Sequence, residues 1–427
     1  MNPIRRLRLR KKPSRTPRTQ PHSYLPADDE VQKRSEILLE KMVNTDSTTP
    51  DVAGVERVQN MIVAELGELG FQVARKENPD VPSAHLVEGV LTGDDPNRFI
   101  TFVCHADVVL GIEIVGAYRK DSDGLRAQGP GVIDNKGGVV VALEGLRLYL
   151  KKLQAAGKKP ALSLRFVSSP NEEAGSPGFQ NQYALYARDS KIVLGFEPAL
   201  DNGSIIESRR GNRWYDVRIL GQEAHAGRCK GEEINAAHDA AKKITRLSRL
   251  NHLKNGISVN VGQIKGGRER YNVVCGMVEM KIDARFSTFA ARERLHKQIE
   301  HILLRPVSGA STTGSFSKTT YTIADDCPPF ASTLASRHLL KGYLSKIKEI
   351  EGRKIRAEKA GGAGDVNYMS ALGVVVLDGL GAVGGHMHTE NEFIFLPSLS
   401  TRAVALSAFL ERIEKKSQKR STVWRTS

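Results

Sequence analysis

The chain has 427 residues, 40% hydrophobic and 26% charged, the balance of a globular protein long enough for two domains. Its net charge of +15 is concentrated at the ends: residues 1–20 carry eight Lys or Arg and no acid, residues 415–427 carry five and no acid, and +2 remains for the rest. The body therefore offers no basic face to nucleic acid, and no stretch approaches the roughly 18 consecutive apolar residues of a membrane span.

In chain order, residues 1–28 read as a basic disordered tail. The segment lacks the apolar core of a secretory signal, so a cytoplasmic protein is expected; its Arg-rich composition bears only a faint likeness to an organellar targeting sequence. VQKRSEILLEKMV (31–43) and VERVQNMIVAELGELG (55–70) show helical periodicity, the second closing on a glycine. RFITFVCH (98–105) is a short apolar run of the kind found in strands buried on both faces. VVVALEGLRLYLKKLQAAG (139–157) reads as a helix starting just after a glycine pair. LSLRFVSS (162–169), KIVLGFE (191–197) and GVVVLDG (373–379) read as strands. Helices between buried strands predict an α/β fold, a mostly parallel sheet sandwiched by helices.

The middle of the chain breaks this alternation. NRWYDVRIL (212–220) reads as a strand, NAAHDAAKKITRLSRL (235–250) as a helix, and ISVNVGQI and VVCGMVEMKIDARF as two strands. ARERLHKQIEHILL then reads as a helix and SKTTYTIADD as a last strand. The order β-α-β-β-α-β predicts a ferredoxin-like α+β unit over 210–322, inserted between two parts of the first domain, 29–209 and 323–414. Residues 415–427 read as a second basic tail. The four cysteines, Cys104, Cys229, Cys275 and Cys327, lack CxxC spacing and read as free thiols.

Ligands of an open α/β sheet gather beyond the carboxyl ends of its strands. RFITFVCH runs into His105-Ala-Asp107, LSLRFVSS into Glu172 and Glu173, and KIVLGFE ends on Glu197. GVVVLDG leads into GLGAVGGHMHTENEF, with His386, His388 and Glu392, and Asp134 stands before the long helix in GPGVIDNKGG. Four strand ends and one helix start thus deliver His, Asp and Glu to one rim. Mixed imidazole and carboxylate donors suit zinc or a similar divalent ion. Their number suits two ions about 3.5–4 Å apart that share a carboxylate. Asp107, two residues after His105 on the same strand face, can accept the second imidazole N–H. Of the adjacent pair Glu172 and Glu173, one can bind metal while its neighbour, with its pKa pushed up by the like charge, serves as general base.

HAD, GPGVIDNKGG, NEEAGSPG, GFEP, EAHAG and GHMHTENEF, in this order, resemble the zinc-dependent peptidases and deacylases that include carboxypeptidase G, acetylornithine deacetylase and succinyl-diaminopimelate desuccinylase. The resemblance spans about residues 35 to 412 and is greatest to the carboxypeptidase G branch. It implies a two-zinc hydrolase, with cobalt or manganese as substitutes, acting on a small peptide or N-acylated amino acid. It implies that Asp134 bridges the ions, with a cis peptide to Asn135, that Glu173 and His388 complete one site, and that His105 and Glu197 complete the other. HTENEF favours His388, although His386 also has a glutamate four residues on. Glu172 is implied as general base, Asp107 as the residue orienting His105, and His225 as a polariser of the scissile carbonyl, in some relatives across a dimer interface. Asn272 and Arg285 match lid positions, Gly361 and Gly362 a glycine-rich wall near substrate, and 210–322 a lid and dimerisation domain.

One position departs from the pattern. Carboxypeptidase G has an arginine for the substrate carboxylate where DDCPPF carries Cys327, and a thiol does not replace a guanidinium fork. The expected activity is that of a metallopeptidase of the carboxypeptidase type. An N-acyl-amino-acid deacylase is the alternative within the class, and a metal-dependent binding protein without catalysis the alternative outside it.

Overall fold

The computed structural model describes residues 27–78, 85–307, 309–310, 312 and 314–423; of the expected N-terminal tail only 27 and 28 fall within it, and Asp28 caps the first helix, Asp29–Val43. Ten strands frame the site: β1 (Gln72–Glu77), β2 (His85–Leu91), β3 (Asp95–His105), β4 (Leu162–Ser169), β5 (Ser190–Gly195), β6 (Gly211–Leu220), β7 (Ser258–Gly266), β8 (Met277–Phe286), β9 (Lys318–Cys327) and β10 (Val375–Leu377).

The larger sheet has the order β1-β2-β4-β3-β5-β10. Its strands β4, β3, β5 and β10 run parallel, and β1 and β2 add an antiparallel edge on one side. The parallel strands carry nearly continuous apolar runs because both faces are covered: Phe102, Leu164, Phe166 and Leu194 are all fully buried. Burying each such side chain stabilises the fold by about 1.5–3 kcal/mol. Register levels the carboxyl ends, pairing His105 with Ser169 and Val103 with Gly195. The segments that follow therefore leave the sheet at one rim.

The helix Lys136–Ala155 crosses one face of this sheet, apolar nearly all round, and packs against the C-terminal helix Pro397–Val423. It begins at Lys136, so the glycine pair 137–138 lies in its first turn instead of preceding it. The reason is packing: a Cβ on Gly138 would lie 2.0 Å from the carbonyl oxygen of Phe196. That close approach seats the segment after β5 against the helix start. The C-terminal helix also extends beyond expectation, to Val423, so residues 415–423 are helical. No glycine or proline interrupts the chain after the buried Leu406, Phe409, Leu410 and Ile413, and adding turns to an anchored helix costs little.

The second sheet has the order β7-β8-β6-β9, antiparallel throughout, and its elements follow in the order β-α-β-β-α-β. Strand β9 continues beyond residue 322 to Cys327. Helices Ala236–Ser248 and Phe289–Leu304 supply one face with its own apolar cluster, including Tyr215, Ile219, Met280, Ile282, Leu295 and Ile299. The alternate residues of β6, Asn212 and Trp214, point the other way, toward the larger sheet's rim. Among the described residues no helix is long and apolar enough to cross a membrane.

Inside the second cluster Lys243 and Asp239 form a fully buried ion pair at 3.0 Å, with the Lys243 Nζ also donating to Thr319 at 2.5 Å. Lys243→Met leaves a buried carboxylate without its cation and is expected to destabilise the protein by about 3–5 kcal/mol. Replacing Asp239 by Leu in the same chain should recover most of that loss. Urea unfolding followed by fluorescence of Trp214, which lies in β6, measures both.

Candidate metal centre

His105, the last residue of β3, is buried. Its Nδ1 faces Asp107, at 3.0 Å from the backbone oxygen and 3.3 Å from Oδ1. Its Nε2 lies 3.1 Å from Asp134 Oδ1, 3.6 Å from Glu197 Oε1 and 3.9 Å from Glu172 Oε2. The other Asp134 oxygen, Oδ2, lies 3.4 Å from His388 Nε2, which is 3.2 Å from Glu173 Oε2. Asp134 therefore stands between two imidazoles, one oxygen toward each.

Asp107 does more than hold His105. Its Oδ1 accepts the backbone N–H of Glu172, and its Oδ2 accepts the N–H of Glu173 and the hydroxyl of Thr49. The fully buried carboxylate thus fixes the turn Glu172–Ala174 and the histidine together. Glu392 does the same for Asp134, accepting N–H groups from Gly131, Ile133 and Asp134. Asn135, joined to Asp134 by a cis peptide, donates to the Phe196 carbonyl and to Glu197. Arg209, paired with the buried Asp378, lies 3.7 Å from Glu197. The single-residue motifs pointed to none of Thr49, Arg209 or Asp378, which are remote in sequence and of unremarkable type.

Among the described residues, three non-glycine residues have left-handed backbones, Ser176, His386 and His388, and all lie on the two loops that frame this cluster. Each such conformation costs of order 1 kcal/mol or more, and the surrounding contacts must hold it. His388 reaches the cluster, whereas His386 lies edge-on to Phe393 at 5.6 Å.

The donors fit a divalent ion on distances alone. Two atoms each about 2.1 Å from a tetrahedral ion lie about 3.4 Å apart, and the separations here, from 3.1 to 3.6 Å, bracket that value. His105, Glu172 and Glu197 form one triple of mutually close donors, and His105, Asp134 and Glu173 another. Among the described residues, the buried Glu173 Oε1 has no hydrogen-bond partner. Electrostatics agree. Burial, then Glu197, pushes the Glu172 carboxyl well above its ordinary value, and burial with Asp134 pushes Glu197 up to about 8. Burial opposes charge on His105, yet hydrogen bonds to Asp107 and Asp134 raise it well above the usual histidine value. Asp134 and Glu173 raise His388 to about 10. Such a crowd of carboxylates is relieved by positive charge, from protons or from metal.

The cluster opens into a cavity of about 420 Å³ between the two sheets. Arg285, Gly361 and Gly362 line it, with Arg285 Nη1 donating to the Gly361 carbonyl at 3.2 Å. His225 and Asn272 lie 3.3 Å from one another but are exposed, and neither lines the cavity. Cys327 is buried in its wall.

Against known proteins, the model of peptidase family M20/M25/M40 matches residues 101–412. The chain is 25% identical over 374 residues to carboxypeptidase G2 of Pseudomonas sp. (strain RS-16), covering 85% of each. It is 24% identical over 387 residues to succinyl-diaminopimelate desuccinylase of Methylococcus capsulatus, covering 87% of this chain and 96% of that one. In fold it is similar to a tripeptidase of Staphylococcus aureus, with TM-score 0.70, 18% identity and coverage of 90% and 99%. It is also similar to a metallo-carboxypeptidase of Sulfolobus solfataricus, with TM-score 0.67, 14% identity and coverage of 88% and 98%.

The raised pKa values set the pH dependence of the metal-free protein. Groups that bind protons more tightly when folded stabilise the fold at low pH, and that contribution is lost as pH rises through their folded values. For Glu197 the window runs from 4.5 to about 8, and for His388 from 6.5 to about 10. The melting temperature of chelator-treated protein is therefore expected to fall as pH rises across this range. The increase on adding zinc should grow with pH, read by differential scanning calorimetry.

Proposed function

The chain belongs to peptidase family M20/M25/M40 and is a hydrolase of its metallopeptidase and amidohydrolase kind; from that premise we propose that it is a two-zinc amidohydrolase cleaving a small peptide or an N-acylated amino acid. The observation that carries this reading is the pair of donor sets that share Asp134, one oxygen toward each histidine. His105 and Glu197 would hold one ion and His388 and Glu173 the other, with Asp134 between them. Zinc in these places, or cobalt or manganese, would supply Lewis acidity to an amide carbonyl and to a water molecule.

The protein's own groups have distinct tasks in this reading. Glu172, half-buried and raised in pKa, takes a proton from the attacking water at its carboxylate and passes it to the leaving nitrogen. Asp107 keeps the Nδ1–H of His105 pointed away from the cavity and holds Glu172 at its backbone. Arg285 and the wall at Gly361 and Gly362 seat the substrate. The unit from β6 to β9 acts as a ferredoxin-like lid over a cytoplasmic enzyme's cavity. His225 and Asn272 are exposed on that lid, and we assign them to the cavity of a second copy in a homodimer, where His225 polarises the carbonyl. Cys327 in the wall favours an N-acyl-amino-acid deacylase or dipeptidase over a carboxypeptidase that takes C-terminal glutamate.

Glu172→Gln is expected to retain two metal ions per chain by elemental analysis while kcat falls about 10²–10⁴-fold. Persistence of activity in that variant, or in chelator-treated enzyme, refutes the assignment. A 1:1 mixture of Glu172→Gln and His225→Ala chains, refolded together, should regain activity that neither has alone, because one of its two cavities combines an intact base with an intact histidine.

A further inference from the structure

The end of the cavity beyond the metal centre is walled by the second sheet. Pairing across β8, β6 and β9 places Arg285, Asn212 and Cys327 in one row, and Asp283, Trp214 and Asp325 in the next. All but Asp283 line the cavity. A register shift between Ile323 and Asp325 creates this wall. Strict alternation from Thr320 and Thr322 would bring Ala324 to the cavity face; the bulge delivers Asp325 and Cys327 instead.

The charges on this wall do not cancel. Arg285 Nε donates to Asp283 at 2.8 Å, and Asp283 also accepts from the Trp214 indole, so that cation is already matched. Asp325 is 8% exposed, and its carboxylate accepts only neutral donors, Asn212 Nδ2 at 2.5 Å and the Tyr368 hydroxyl at 3.2 Å. Among the described residues no cation pairs with it, whereas its neighbour Asp326, on the other face, takes both Arg213 and Arg292. Asp325 also presses on Gly175, just after the two loop glutamates, where a Cβ would come within 3.0 Å of its carboxyl carbon. A buried carboxylate without a cation is costly unless a ligand provides one.

We propose that the half of the substrate seated against this wall, the amino acid on the leaving-amine side, is basic, its ammonium or guanidinium at Asp325 and its aliphatic stem along Trp214. This rests on the amidohydrolase reading above. A second carboxylate in the same place would face Asp325 and, at Cys327, a thiol, which disfavours diacids.

The test uses full-length, zinc-loaded protein with alanyl-lysine, alanyl-norleucine and alanyl-glutamate, together with calorimetric binding of the free amino acids lysine, norleucine and glutamate. The expected kcat/KM for the lysine dipeptide exceeds the other two by about tenfold or more, and the free amino acids bind in the same order. Asp325→Asn should collapse the lysine-to-norleucine ratio, chiefly through KM. Cys327→Arg should move preference toward glutamate, which keeps the idea testable if the Asp325 variant does not fold. Turnover of all three dipeptides without preference overturns this inference and leaves the amidohydrolase reading standing. Selective lysine binding without turnover of any dipeptide supports the acidic wall and removes the dipeptidase branch of the amidohydrolase reading, leaving the N-acyl amino acid branch. Preference for glutamate or norleucine in both measurements overturns it outright.

Discussion

Four carboxylates, Asp134, Glu172, Glu173 and Glu197, crowd around two imidazoles in a partly dry rim where like charges repel. The fold holds them there by spending backbone amides on the residues behind them. Asp107 takes the N–H groups of both loop glutamates, Glu392 takes three from the segment carrying Asp134, and Asn135 pins Glu197. Each of these is a fixed donor–acceptor pair on a parallel strand end or a helix start. The repulsive cluster is thus preorganised, and positive charge is what relieves it.

Much of this cluster was legible from local sequence. A ligand at a strand end requires only a recognisable apolar run and the residue that follows it, and His105, Glu172, Glu173 and Glu197 are all placed that way. Asp134 stands at a helix start that the glycine pair marked to within three residues. His388 was harder, since two histidines share the same spacing to a glutamate, and only a left-handed turn that aims one of them at Glu173 separates them.

What the residues in sequence did not reveal depends on contacts between distant segments. Asp378 reads as the end of a strand; β10 stops at Leu377, and Asp378, buried against Arg209, supports Glu197 from behind. Strand β1 escaped notice because it is an exposed, charged edge with no apolar alternation. Lys243 and Asp239 look like a solvated helical pair at i and i+4, and only the sheet beneath them makes them a core feature. The C-terminal helix reads as a basic tail once its apolar face runs out, yet the anchored turns before it carry it further.

The bulge in β9 separates two properties that enzymes often entangle. The donor cluster hangs on the rim of the larger sheet, whereas the far wall is built by the smaller one, where the phase of β9 brings Asp325 and Cys327 to the cavity. Loss of Ala324, the residue the bulge leaves unpaired, would keep Asp325 opposite Trp214 and Cys327 opposite Asn212. The wall's character therefore rests on the side chains at Asp325 and Cys327, which lie on a different sheet from the donors at the rim.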